Sequence, residues 1–174
     1  MAVKSIVLFP DPVLRTRATV DVDPLDPTTQ ELIQDLIDTA KKHGAWGLSA
    51  QQLGQVARVA VVAKLWTDPR RARPVAPDWS PGAHPIVLCN PRLLGWVGGD
   101  TKREACMSLP GRAVDIWRPR KVTVAWVDEK GANRQGIFSG WQGRALQHEF
   151  DHLNGILIID QSSKINRMTG ERAA

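Results

Sequence analysis

Two stretches of the chain, 27–43 and 139–155, carry helical periodicity, and what lies between them is written in short, strand-like pieces. That spacing constrains the fold more than any other feature. In PTTQELIQDLIDTAKKH, Leu32, Ile33, Leu36, Ile37 and Ala40 recur at helical intervals. Thr28 and Glu31 fit a capping box at its start, and Gly44 suits its end. In SGWQGRALQHEFDHLNG, Ser139 and Gln142 have the same capping-box spacing, and Asn154-Gly155 supplies the stop. Between the two, VARVAVVA (56–63) is β-rich and reads as a buried strand, and IVLCN as another. RLLGWVGGD and TKREACMSLP read as short extended pieces. KVTVAWVDEKGANRQGIF alternates Val122, Val124 and Trp126 around the DEKG turn, a hairpin signal. ILIID reads as a short final strand or extended segment. Strands and helices do not alternate, so the expected class is α+β, with short, mostly antiparallel strands packed around a late central helix.

A length of 174 residues suits one domain over 1–174, with a polar tail at 161–174. No apolar run approaches the ~20 residues of a membrane span, and SIVLF is too short for a signal-peptide core. The expected compartment is therefore a cytoplasm, or an organelle where a presequence has been removed. Two cysteines, Cys89 and Cys106, make no disulfide framework, so a reducing environment is the default and a single bridge the alternative. The net charge of +5 favours an RNA-rich neighbourhood, but no DNA- or RNA-binding fingerprint accompanies it. The most basic run, PRRARP, reads as a solvated loop inside a Pro-rich surface excursion over 66–85.

The chemistry concentrates in the second helix. QHEFDHLNG places His148 and His152 four residues apart, on one helix face, with Glu149 angled to the side. Two imidazoles on one face can bind a metal while the carboxylate takes a proton from water. Two histidines beside a chance glutamate fit the same five residues, and the helix alone does not choose. Cys106, in KREACMSLPG, offers a third ligand. A thiolate and two imidazoles leave a fourth position open, the catalytic arrangement. Free cysteine is more often a small buried hydrophobe, a reading that suits Cys89 in its apolar strand.

Three stretches together resemble the signature motifs of the peptide deformylases. AWGLSAQQ (45–52) is similar to Gly-hydrophobic-Gly-Leu-Ala-Ala-x-Gln, EACMS (104–108) to Glu-Gly-Cys-Leu-Ser, and QHEFDH (147–152) to Gln-His-Glu-x-Asp-His. FPDPVLR and LCNPRLL are also similar, and SGWQGRALQHE looks closer to the organelle-like branch of that family. The resemblance implies hydrolytic removal of the formyl group from the N-terminal formylmethionine of new polypeptides, by a metal-bound water. It implies Cys106, His148 and His152 as metal ligands and Glu149 as general base. Gln52 and the backbone N–H of Met107 become oxyanion donors, and Glu104 and Asp151 groups that orient histidines or brace the helix. Gly47 becomes the place where an extended substrate pairs its backbone. Trp141 and Ala145, on the helix face of His148, would wall the methionine pocket. The implied cofactor is one divalent ion, Fe(II) first, with Zn(II), Ni(II) or Co(II) as alternatives that ligand identity cannot separate. The implied partners are N-formylmethionyl nascent peptides and, transiently, the ribosome, with no specific DNA and no membrane.

Four positions depart from the motifs. Ala45 and Ala105 stand where the family has Gly, Ser49 where it has Ala, and Met107 where it has Leu. The two alanines matter most if those backbones need positive φ or close approach. With Trp46, Ala105 would tighten the cleft and alter inhibitor sensitivity. Ordinary activity with neutral changes is the alternative. A peptidase of the same helix type would need a further ligand after His152, for which Asp160 is the candidate. A basic RNA-associated protein that has lost its enzyme is the third reading.

Overall fold

The structure is a computed structural model that describes residues 3–65, 77–80 and 83–161. The first helix, α1, runs Pro27–His43. Proline at the first position presets φ and needs no hydrogen-bond partner, so the cap falls two residues earlier than the Thr28–Glu31 box. Asp26 takes that place, and its carboxylate accepts from Thr28 N at 2.8 Å and Thr29 N at 3.3 Å. Gly44 ends the helix at φ 61 and returns its N–H to Ala40 and Lys41.

Among the described residues nine strands follow: β1 Gly47–Ser49, β2 Val59–Val62, β3 Lys64–Leu65, β4 Pro77–Asp78, β5 Ile86–Val97, β6 Asp100–Ala105, β7 Ala113–Arg118, β8 Lys121–Val127 and β9 Asn133–Ser139; α2 is Gly140–Leu153. Five form one antiparallel sheet in the order β1-β2-β5-β8-β9, while β3–β4 and β6–β7 pair separately. β2 is buried at every position because both faces of the sheet are covered. Val59, Val61, Val87 and Cys89 pack with Leu32, Ile33 and Leu36 of α1. Val62, Leu88, Val122 and Val124 pack with Ala145 and Leu146 of α2. The β6–β7 ladder covers the other side of α2, with Arg144 of that helix bonded to the Ile116 carbonyl at 2.7 Å. The late helix is thus central, held between a sheet and a hairpin.

Several local expectations need correction. IVLCN and RLLGWVGGD are one strand, β5, which absorbs irregularities between Cys89 and Arg92 and between Leu93 and Gly95. β7 drew no strand reading, although Val114 and Ile116 alternate with Asp115 and Trp117. Ser139 caps α2 without a side-chain bond, because Gly140 enters at φ 58 and turns the chain out of capping-box geometry; Gln142 Nε2 reaches Ala63 O instead, at 3.4 Å. ILIID is neither strand nor extended to its end. Residues 158–161 are helical, since Asp160 Oδ2 accepts from Leu157 N at 2.8 Å and caps the turn. Residues 66–76 of the Pro-rich excursion, PRRARP among them, and most of the 161–174 tail lie outside the described residues. No helix among the described residues is long and apolar enough to cross a membrane.

Candidate metal and catalytic site

α2 carries His148 and His152 one turn apart, and the end of β6 delivers Cys106 to the same place. The three ligand atoms lie within 4.8 Å of one another. Cys106 Sγ is 3.3 Å from His152 Nε2, close to the ~3.6 Å expected of a sulfur and a nitrogen sharing one tetrahedral ion. His148 Nδ1 meets Glu104 Oε2 at 3.2 Å, which leaves Nε2 to face the thiol. Burial, with the His148 charge, pushes the His152 pKa well below its ordinary value, so the ring stays neutral with a lone pair to give. Burial also disfavours charge on His148, but Cys106 and Glu104 outweigh it and raise that pKa well above normal. The site sets a neutral imidazole and a Glu104-held imidazole beside a thiol, donors of the kinds a divalent cation takes. The residues fit such an ion. Both cysteines are free, so no disulfide competes for Cys106.

Glu104 is the hub beneath the site. Arg118 grips it with two bonds, Nε–Oε1 at 2.7 Å and Nη2–Oε2 at 2.9 Å, and Arg144 Nη2 adds a contact at 2.9 Å. Burial alone would raise the Glu104 pKa, but His148 and Arg118 hold it down at about 2. Asp151 makes no side-chain hydrogen bond to either histidine among the described residues. It accepts from Arg118 Nη1 at 2.8 Å and Gln161 Nε2 at 3.1 Å, and so braces the helix through the arginine. Asp160 lies apart, engaged with Arg15 and Leu157 N, and is no third ligand of a peptidase type.

Glu149 is 3% exposed, with Oε2 unpartnered among the described residues. Burial raises its pKa to about 7, against the opposing charges of His148 and Arg118. Its carboxyl lies over Gly47: a Cβ built on that glycine would stand 2.6 Å from Oε1. Gln52 is 2% exposed; its Nε2 points to Ser108 Oγ at 3.3 Å and towards Cys106 Sγ at 3.9 Å.

A cleft of about 570 Å³ opens in front of these groups, lined by Trp46, Gly47, Gln52, Ala105, Met107, Trp141, Ala145 and Glu149 among others. The expected ligands, base, oxyanion donors and cleft residues all border this cleft except His152, which lies behind it at 1% exposure; of the two supporting carboxylates, Glu104 borders it and Asp151 does not. Trp46 meets Trp141 edge-on, ring centres 5.2 Å apart, and Lys102 Nζ sits 4.7 Å over Trp141. Neither Ala45 nor Ala105 has positive φ. Ala45 is buried in the core beside α1, whereas Ala105 is exposed at the end of β6. Sequence reading passed over Arg118 and Arg144, and took Ser49 only as a departure from the motif. The arginines gave a weak signal, though Arg144 stands one turn before His148. Ser49 gave a plain one, for Ser49 and Gln52 have capping-box spacing.

The family model described as polypeptide deformylase matches residues 3–168. A peptide deformylase of Desulforudis audaxviator is 36% identical over 166 residues, covering 95% of this chain and 97% of its own. The crystal structure of the Thermotoga maritima peptide deformylase matches with a TM-score of 0.77 at 30% identity, over 92% of this chain and 98% of that one. A class I type b peptide deformylase from Acinetobacter baumannii, solved with Met-Ala-Ser bound, matches with a TM-score of 0.79 at 27% identity, over 92% and 98%. Fold, sequence and the Cys-His-His cluster agree, and this chain belongs to the polypeptide deformylase family, metal-dependent hydrolases that remove the formyl group from the N-terminal formylmethionine of new polypeptides.

Proposed function

We propose that this chain performs that deformylation with Cys106, His148 and His152 holding one divalent ion, Fe(II) in the cell and Zn(II), Ni(II) or Co(II) on substitution. The observation that carries the assignment is the meeting of their ligand atoms within 4.8 Å beside Glu149 and Gln52. A divalent ion there supplies Lewis acidity, making water acidic near neutral pH and polarising a carbonyl. Glu149 takes the proton from the attacking water and later gives it to the departing amine, so that formamide and water leave as formate and a free N-terminus. The side-chain amide of Gln52 and the N–H of Met107 receive the charge that builds on the formyl oxygen.

β1 is an edge strand, and Gly47 at its start borders the cleft. An extended N-formylmethionyl peptide can add to it at Gly47 by backbone pairing, with the methionine side chain against Trp141 and Ala145. The Met-Ala-Ser bound to the Acinetobacter protein is a peptide of the product class. Ala105, exposed at the end of β6, and Trp46 tighten the cleft, with Ala45 unstrained on its wall; ordinary activity with neutral changes is the alternative. The chain works as one domain in a bacterial cytoplasm, and its positive charge supports passing contact with the ribosome.

The test is anaerobic purification, metal analysis, and formate release from a formyl-Met dipeptide, with Glu149→Gln as control. One ion per chain and formate release lost in the variant are expected. Metal without formate release would mean that the substrate differs. Neither, after reconstitution with Fe(II), Ni(II) and Zn(II), would overturn the site assignment.

A further inference from the structure

Gln52 can aim either end of its amide at the reacting oxygen, and only the NH₂ end helps. Two groups on residue 49 decide between them. Ser49 N donates to Gln52 Oε1 at 3.0 Å, and Ser49 Oγ donates to the same oxygen at 3.2 Å. A backbone N–H cannot accept, so the amide end facing Ser49 must be the oxygen. The opposite end, Nε2, then has Ser108 Oγ at 3.3 Å and faces the thiol of Cys106. Ser49 and Ser108 are 0% exposed, so both protein partners of the amide are held in the interior while Gln52 borders the cleft. The arrangement is one arm of a capping box, Gln52 returning to Ser49 N at the start of the short 3-10 turn Ala50–Leu53. The hydroxyl is a second donor on the same oxygen, and an alanine at 49, the residue of the family motif, would lack it.

We propose that Ser49 is a positioning residue for the reaction. Its hydroxyl locks the Gln52 carboxamide with NH₂ toward the substrate oxygen, raising the share of molecules in which the oxyanion donor is correctly aimed. The inference rests on the reading of Gln52 as that donor. Only the hydroxyl is removed in Ser49→Ala, and the backbone bond stays, so the loss should be partial. A neutral hydrogen bond of this kind corresponds to a fall in kcat of about fivefold, against about 10²- to 10³-fold for Gln52→Ala, which removes the donor. KM for a formyl-Met peptide should not move.

Two measurements test it on the full chain. In the kinetic one, Ser49→Ala is compared in the wild-type and Gln52→Ala backgrounds. The expected result is a kcat loss with Gln52 present and none without it. In the second, ¹⁵N NMR of the Zn(II)-loaded protein follows the Gln52 side-chain amide, whose protons should exchange faster in Ser49→Ala. An unchanged Gln52 amide, or an equal kcat loss in both backgrounds, would overturn the role of Ser49. Full activity in Gln52→Ala would instead remove the donor reading, and the proposal with it.

Discussion

Gly47→Ala puts the seat of Glu149 to the test. The added Cβ would lie 2.6 Å from Glu149 Oε1, 2.8 Å from Cγ and 2.9 Å from Cδ, against ordinary contacts of 3.4 Å and more. Neither φ strain nor a lost hydrogen bond accompanies the change, since Gly47 is not at positive φ and remains paired with Val62 in the sheet. The carboxyl must retreat by roughly 0.8 Å, and α2 cannot retreat with it, because Leu146 and Leu153 of that helix are fully buried. A misplacement near 1 Å of a group that moves a proton costs about 10²-fold in rate, or roughly 2.7 kcal/mol of transition-state stabilisation. That lies at the low end of the 10²- to 10⁴-fold ascribed to general acid–base catalysis. The expected outcome is a kcat for formate release lowered about 100-fold, with metal content and melting temperature close to wild type. In Glu149→Gln the proton carrier is already gone, so the second substitution should add little. Gly47 also borders the cleft, and a methyl that crowded the substrate instead would raise KM with kcat kept. A kcat within about threefold of wild type would refute the claim that Glu149 needs the space over Gly47.

Arg118→Met should cost about 3 kcal/mol in urea unfolding, because it strips Glu104 and Asp151 of their shared buried cation; a loss under about 1 kcal/mol would mean Arg144, His148 and Gln161 suffice. Cys89 sets a pH dependence. Burial raises its thiol from 9.0 to about 12, so the folded protein keeps a proton that the unfolded chain releases. Its contribution is whole below pH 9 and is lost as pH rises toward 12, by about 2 kcal/mol at pH 10.5. The chain has no tyrosine to blur that limb, and in Cys89→Val the fall in stability between pH 9 and 10.5 should be shallower by that amount; an unchanged slope would refute the assignment. Ala105→Gly should lower the inhibition constant of a hydroxamate inhibitor severalfold if the exposed methyl at the end of β6 crowds the ligand backbone, and equal constants would dismiss crowding there.

Legibility followed the range of each interaction. The span of α1 was readable because its periodicity and the Gly44 stop are local, and the hairpin of β8 and β9 because Asp128 closes it through Lys130 N and Ala132 N. The capping boxes failed for local reasons too: Pro27 and Gly140 impose backbone angles that override the side-chain spacing. The ligand trio came from motif resemblance, since nothing in the residues between Cys106 and His148 states that β6 returns to α2. The Arg118–Glu104–Arg144 network was beyond reach, because each arginine alone looks like a solvated charge. Only the packing of the β6–β7 hairpin over α2 buries them together, at 4% exposure each.

Ser49 belongs to a different class of omission. Its spacing to Gln52 was visible, yet adding a hydroxyl to alanine's methyl reads as mild when size is the only measure. In a dry site the measure is the number of donors offered to a given oxygen. A buried amide whose two ends are chemically opposite is held by which atoms surround each end, and a single extra hydroxyl changes that balance. The same logic governs Glu104, whose four contacts from two arginines and a histidine keep it charged at 8% side-chain exposure. Both residues act one bond away from the reacting groups. Departures from a family motif at such positions bear on catalysis through orientation, and kcat is where they should register.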